Sequence, residues 1–123
     1  MKIRSHEELD VYRMAFENAM RIFHISRTFS AEERYSLTDQ LRRASRSVCS
    51  NLAEAFRKRK YPRAFVAKLS DSESEAAETM VWLDFSLACQ YMEESVHKDL
   101  KNQYDFIIGK LVNISLQPEK WTY

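Results

Sequence analysis

Glycine is almost missing from this chain: Gly109 is the only one in 123 residues, and proline occurs only at Pro62 and Pro118. Average usage would supply roughly 7% glycine and 5% proline. A turn-rich β fold needs glycine at its positive-φ positions, and low-complexity disorder feeds on one residue or the other, so both are excluded. A phosphate-cradling loop, which needs several glycines together, goes with them. Cysteine is scarce too. Cys49 and Cys89 are too few and too far apart for a disulfide framework, and both are expected as buried free thiols. No apolar run approaches the ~18 residues that cross a bilayer, and Met1–Asp10 is charged throughout, with nothing of a targeting signal. The expectation is a soluble, cytoplasmic protein without a membrane partner.

The chemistry of catalysis is equally thin. His6, His24 and His97 form no close pair, and Ser45, Ser47 and Ser50 have no histidine near them in sequence and lie in helical pattern rather than on a strained turn. Glu94-Ser95-Val96-His97 spells one half of a di-iron ligand set, but that site needs the motif twice on continuous helices. No enzyme, metal or cofactor is expected, and Gly109, in mid-helix, is expected to serve close helix packing.

What the chain does have is helical period. Ser5 and Glu8 form a capping box ahead of Leu9, Tyr12, Phe16, Ala19 and Phe23, which gives a first helix over 6–28. Ser30 and Glu33 repeat the signal before Leu37, Leu41, Ala44, Val48, Leu52 and Ala55, a second helix over 36–59 whose first turn is separable. Pro62 opens a third over 62–93 with Phe65, Leu69, Ala76, Met80, Leu83 and Leu87 on one stripe. Ser95 caps a fourth over 96–116 that carries Leu100, Tyr104, Ile107, Ile108, Leu111 and Ile114 and stops before Pro118. Short connections between long helices predict an all-α, antiparallel, up-and-down four-helix bundle in a single domain over 1–123.

Two further patterns concern partners. From Met80 to Met92 the third helix is apolar almost all round, and Val81, Trp82, Phe85, Cys89 and Met92 lie away from its core stripe. A second apolar face predicts homo-oligomerisation through those five residues. The charge, only +1 in total, is blocked: residues 41–70 carry nine basic side chains against one acid, and residues 71–97 carry seven acids and no Lys or Arg. Arg42, Arg43, Arg46 and Arg57 share the predicted solvent face of helix two, spread over about 22 Å at ~1.5 Å per residue. Arg42, Arg46, Arg57, Lys58, Arg59, Lys60 and Arg63 are therefore the candidate contacts to nucleic-acid phosphates, RNA or DNA, which arginine grips in bidentate fashion. The competing reading is mutual neutralisation of helices two and three, with the chain acting as a protein-binding scaffold.

The run Gln40-Leu41-Arg42-Arg43-Ala44-Ser45-Arg46-Ser47-Val48-Cys49-Ser50-Asn51-Leu52-Ala53-Glu54 closely resembles the signature of the four-helix-bundle proteins encoded in intervening sequences of bacterial 23S ribosomal RNA genes. Ala77-Glu78-Thr79 with Val81-Trp82-Leu83-Asp84-Phe85 resembles that family's third helix, and Ile108-Gly109-Lys110-Leu111 with Pro118-Glu119-Lys120 its ending. The resemblance implies a ring-like homopentamer and kinship with the accessory proteins of diversity-generating retroelements, which bind nucleic acid and a reverse transcriptase. Arg43, Asn51 and Glu54 match polar family positions and are expected as structural hydrogen-bonding groups at helix contacts. Ala55 stands where the family usually has Gly, and Cys49 where it often has Pro; both favour a straighter, continuous helix two.

Overall fold

A computed structural model of the chain describes residues 3–121. Among the described residues there is no strand, and four helices carry the fold: α1 (Asp10–Ser26), α2 (Leu37–Arg57), α3 (Pro62–Ala88) and α4 (Glu94–Leu116). Three short 3-10 turns, His6–Glu8, Ala31–Glu33 and Pro118–Lys120, sit before, between and after them. Among the described residues no helix is long and apolar enough to cross a membrane. α2 packs on α1 and α3, and α4 packs on α3 and α1, so each helix has two neighbours around a common core.

That core is built from the stripes of α2, α3 and α4 that the periodicity picks out. Leu41, Val48, Leu52, Phe65, Leu69, Leu83, Leu100, Ile107 and Leu111 are all buried, with Tyr104 the largest fully buried side chain. Each such residue contributes roughly 1.5–3 kcal/mol of transfer free energy, enough to order helices whose own propensity would leave them marginal. α2 runs without interruption through Cys49 and Ala55, and Ala55 is fully buried. Small residues line the α2–α3 seam: Ala44, Ser45, Ser72, Ala76 and Thr79 are buried, and Ser72 Oγ donates to the Val48 carbonyl at 2.7 Å. Across that seam Glu54 meets Lys68 at 2.8 Å, so the paired numbers rise on one helix as they fall on the other. The same order relates α1 to α4, where Lys110 meets Asp10 at 2.8 Å and Arg21 meets Asp99 at 2.7 Å.

Several expectations are corrected. α1 buries Val11, Ala15, Asn18, Ala19 and Ile22, a stripe rotated from the expected one, and Phe16 is exposed. The Ser5–Glu8 capping box is present, with Ser5 Oγ accepting from Glu7 N–H at 3.1 Å, but it caps the His6–Glu8 turn; the chain is extended at Leu9 before α1 begins. Helix three stops at Ala88, five residues short of the expected end. Gln90 adopts φ of 63°, Gln90 N–H reaches the Leu87 carbonyl and Tyr91 N–H the Ser86 carbonyl, both at 2.9 Å, which is a Schellman closure. α4 then starts at Glu94, with Glu93 rather than Ser95 as its extended N-cap and no side-chain cap. A Cβ on Gly109 would meet nothing within 4 Å, so this glycine serves no close packing.

Ion pairs at the surface give the fold an acid-sensitive component. The Lys110 ammonium holds the Asp10 carboxyl below its ordinary value of 3.8. Partial burial pushes the Asp84 carboxyl up, but hydrogen bonds from His97 at 2.8 Å and Lys101 at 3.2 Å outweigh it, and the net shift is downward. Glu75 goes the other way: burial first, then the charge of Glu78, raises it above 4.5. A depressed carboxylate stabilises the fold above its unfolded pKa and loses that contribution as pH falls through the folded one, whereas a raised carboxyl loses its contribution as pH rises.

Gly109→Ala is expected to raise the unfolding free energy by ~1 kcal/mol in urea titration, since the position is helical and open. Gln90→Gly, relieving a left-handed side chain, is expected to add about 0.5–1 kcal/mol in the same measurement. In thermal melts from about pH 6 to about pH 2, stability is expected to fall on acidification. Asp84→Asn should flatten that loss and lower stability at neutral pH, while Glu75→Gln should raise it there.

Candidate nucleic-acid interface

The end of α1, the connection after it and the first half of α2 enclose a cleft of about 590 Å³ that gathers five arginines, Arg27, Arg34, Arg42, Arg43 and Arg46, around a single carboxylate, Asp39. Three of the five are organised by one aromatic ring. The guanidinium of Arg42 lies 4.8 Å from the Phe23 centroid, and those of Arg27 and Arg46 lie 5.9 Å from it. The spacing explains the convergence: Phe23 and Arg27 are one turn apart on α1, Arg42 and Arg46 one turn apart on α2, and the two helices pack side by side. Arg42 is further fixed by its Nε donating to Ser26 Oγ at 2.8 Å. It is half-buried, not on the open solvent face expected for it, whereas Arg43 and Arg46 are exposed. The cleft's far wall is held by Phe29, whose ring stacks on Tyr91 at 5.0 Å, while Tyr91 Oη donates to Glu33 at 3.1 Å and so ties the α1–α2 connection to the α3–α4 connection.

Cation–π and hydroxyl contacts orient these arginines without neutralising them. Among the described residues the one ion pair inside the cleft is Arg43 with Asp39, at a loose 3.8 Å. Mutual neutralisation of α2 and α3 is slight among the described residues. The bridge that crosses the seam joins an acid of α2, Glu54, to a base of α3, Lys68, and lowers the Glu54 carboxyl chiefly through that hydrogen bond. Arg27, Arg34, Arg42, Arg46, Arg57 and Arg63 have no carboxylate within 4 Å among the described residues.

The other basic group surrounds the α2–α3 turn, at the opposite end of α2. Arg57, Lys58, Lys60 and Arg63 are exposed there, with the Lys60 ammonium 5.3 Å from the Tyr61 ring centroid. Arg59 has a structural job. Its guanidinium lies 4.6 Å over the Phe56 ring and donates to the carbonyls of Phe56 at 3.0 Å and Ile3 at 2.8 Å, pinning the chain's start to the end of α2. Of the polar trio, Asn51 donates to the Ser47 carbonyl of its own helix at 2.9 Å, Glu54 bridges to α3, and Arg43 faces Asp39.

The five apolar residues set aside for self-contact divide. Val81, Phe85 and Cys89 are exposed on α3 or at its end; Trp82 is half-buried against the core, its ring 5.8 Å from that of Phe85. Met92 lies beyond the helix, half-buried in the connection to α4. Cys89 is thus exposed rather than buried, whereas burial pushes the Cys49 thiol up to about 11. Among the described residues no three His, Cys, Asp or Glu side chains come together as metal ligands.

Sequence reading missed Arg27, Arg34 and the role of Phe23. The signal was available in the aromatic-to-arginine step of four residues from Phe23 to Arg27, matched by the same step from Arg42 to Arg46.

Comparison with known proteins agrees with the helical fold. A protein of unknown function from the S23 ribosomal protein family of Bacteroides thetaiotaomicron VPI-5482, solved by crystallography, superposes with a TM-score of 0.76. It is 24% identical, over 85% of this chain and 94% of that one. No curated protein matches the chain. The family model described as the 23S rRNA-intervening sequence protein matches residues 7–113, nearly the whole length, and by that match the chain belongs to the 23S rRNA-intervening sequence protein family.

Proposed function

We propose that the chain is a non-enzymatic, antiparallel up-and-down four-helix bundle that assembles into a closed ring of identical copies, five on the family resemblance, and holds RNA or DNA by its phosphates. The observation that carries the reading is the convergence of five guanidinium groups on one cleft with a single carboxylate among them. Like charges gathered in one place repel, and an anion entering the cleft converts that repulsion into attraction. Arginine suits a phosphodiester because its planar fork meets two oxygens at once. The α2–α3 turn supplies a second basic station through Arg57, Lys58, Lys60 and Arg63, about 22 Å along α2 at ~1.5 Å per residue, so one strand can engage both. Such contacts hold the backbone without reading bases, which makes the binding non-specific in sequence. Repetition around a ring multiplies weak single-site affinity into useful avidity. The family's association by name with 23S rRNA intervening sequences is consistent with this chemistry.

A scaffold for another protein, with no direct nucleic-acid contact, is the second reading, and it is favoured by the exposed Val81 and Phe85 on α3.

Fluorescence anisotropy with a labelled single-stranded RNA of about 30 nucleotides, titrated at several salt concentrations, separates the two. Binding is expected to weaken steeply with salt, and the slope of log K against log salt to shrink by roughly one for each phosphate contact removed. Arg27→Glu with Arg34→Glu, and separately Arg57→Glu with Lys60→Glu, should each weaken binding by about tenfold or more while leaving the particle mass unchanged. Absence of binding at low salt, or binding indifferent to both pairs of substitutions, would leave the scaffold reading in possession.

A further inference from the structure

Among the described residues, neighbouring exposed apolar side chains gather on two separate surfaces. The first is on α3, where Val81 is 48% and Phe85 53% exposed, one turn apart, with Ala77 and Ala88 beside them on the same stripe. The second is a groove of about 360 Å³ between α1 and α2, walled by Tyr12, Phe16 and Met20 on one side and by Arg46, Cys49 and Ala53 on the other. Phe16 is 52% and Met20 41% exposed there. These surfaces share no residue and lie on different helices.

Charge decides how two such surfaces can pair. α3 against α3 sets acid on acid, because from Asp71 to its end at Ala88 that helix carries five carboxylates and no Lys or Arg. Groove against groove sets Arg46 on Arg46. Patch against groove sets Glu78, three residues before Val81 on α3, beside Arg46, which has no carboxylate within 4 Å among the described residues. Arg46 closes one end of the groove's α2 wall. Shape agrees with charge: Val81 and Phe85 project as two neighbouring knobs from a stripe whose alanines permit close approach, and the groove is an apolar hole.

We infer that the outward stripe of α3, with Val81 and Phe85 at its centre, seats in the α1–α2 groove of a second copy of this chain, so that self-assembly is head to tail. This rests on the self-association reading above and specifies its contact. A contact between two unlike patches leaves each bound copy with one of each still unused, so assembly proceeds until the ring closes. A contact of either patch with itself would stop at two copies.

Sedimentation equilibrium of single variants and of their mixture tests the pairing. Phe16→Glu spoils the groove and keeps the patch; Phe85→Glu spoils the patch and keeps the groove. Each alone is expected to sediment as a 14.6 kDa monomer with its helical circular dichroism intact. Mixed in equal amounts, they are expected to form a species of twice that mass and no larger, because the one usable patch and the one usable groove are then consumed. If either acidic variant loses its helical signal, Phe16→Ser and Phe85→Ser are mixed in the same way. A monomeric parent protein overturns both the self-association reading and this pairing. An oligomeric parent whose mass survives either single substitution, or a mixture that stays monomeric, overturns the pairing alone.

Discussion

The seam between α2 and α3 is the constraint on which the remaining geometry depends. Ser72 reaches through it to the Val48 carbonyl at 2.7 Å in a fully buried setting, a contact possible only because Ala44, Ser45 and Ala76 keep the helices close. Such a bond adds only about 0.5–1.5 kcal/mol net, but a hydroxyl buried there without its acceptor would cost more, so the two helices are held in one register. With the inner face of α2 committed to α3 and the core, Arg46, Ser50, Ala53 and Arg57 are left along its outer edge beside α1. The basic cleft and the apolar groove are both consequences of that commitment, and Arg46 belongs to both.

Positive charge survives in the cleft because its anchors are neutral. Phe23 offers the face of a ring and Ser26 a hydroxyl, so the guanidinium groups are positioned while their charge stays available. Three lysines elsewhere are spent on carboxylates: Lys68 on Glu54 and Asp71, Lys101 on Asp84, Lys110 on Asp10. Lysine does most of the pairing and arginine most of the waiting. That division suits the flat, forked geometry of the guanidinium, which loses little in hydration when it stacks on an aromatic ring.

Most of the fold was readable from the sequence. The stripes of α2, α3 and α4 are dominated by Leu, Ile and Phe, and those residues fill the core. α1 deceived because two stripes with nearly the same spacing compete along it, separated by one residue or about 100° of rotation. The buried one is the less hydrophobic, with Ala15, Asn18 and Ser26 in it, and Tyr12, Phe16 and Met20 lie to the outside. Hydrophobicity alone points to the wrong face when the more apolar stripe of a helix is not the one it buries. The end of α3 was hidden for a different reason: Gln90 takes a left-handed conformation that a glycine would have advertised. The cleft was half legible, since its arginines on α2 stand out as a run, whereas Arg27 and Arg34 join them only after the chain turns back on itself.

The two thiols differ in setting. Cys49 is shut against Tyr12 and the core with its thiol pushed up to about 11, which keeps it protonated and poorly nucleophilic at neutral pH, while Cys89 stands in the open at the close of α3. Thiol-directed alkylating reagents therefore meet one exposed thiol per protomer, at the margin of the α3 stripe. Thiol chemistry at this protein falls on the rim of the α3 stripe, beside the exposed Phe85 and Val81, rather than on the thiol held among the helices.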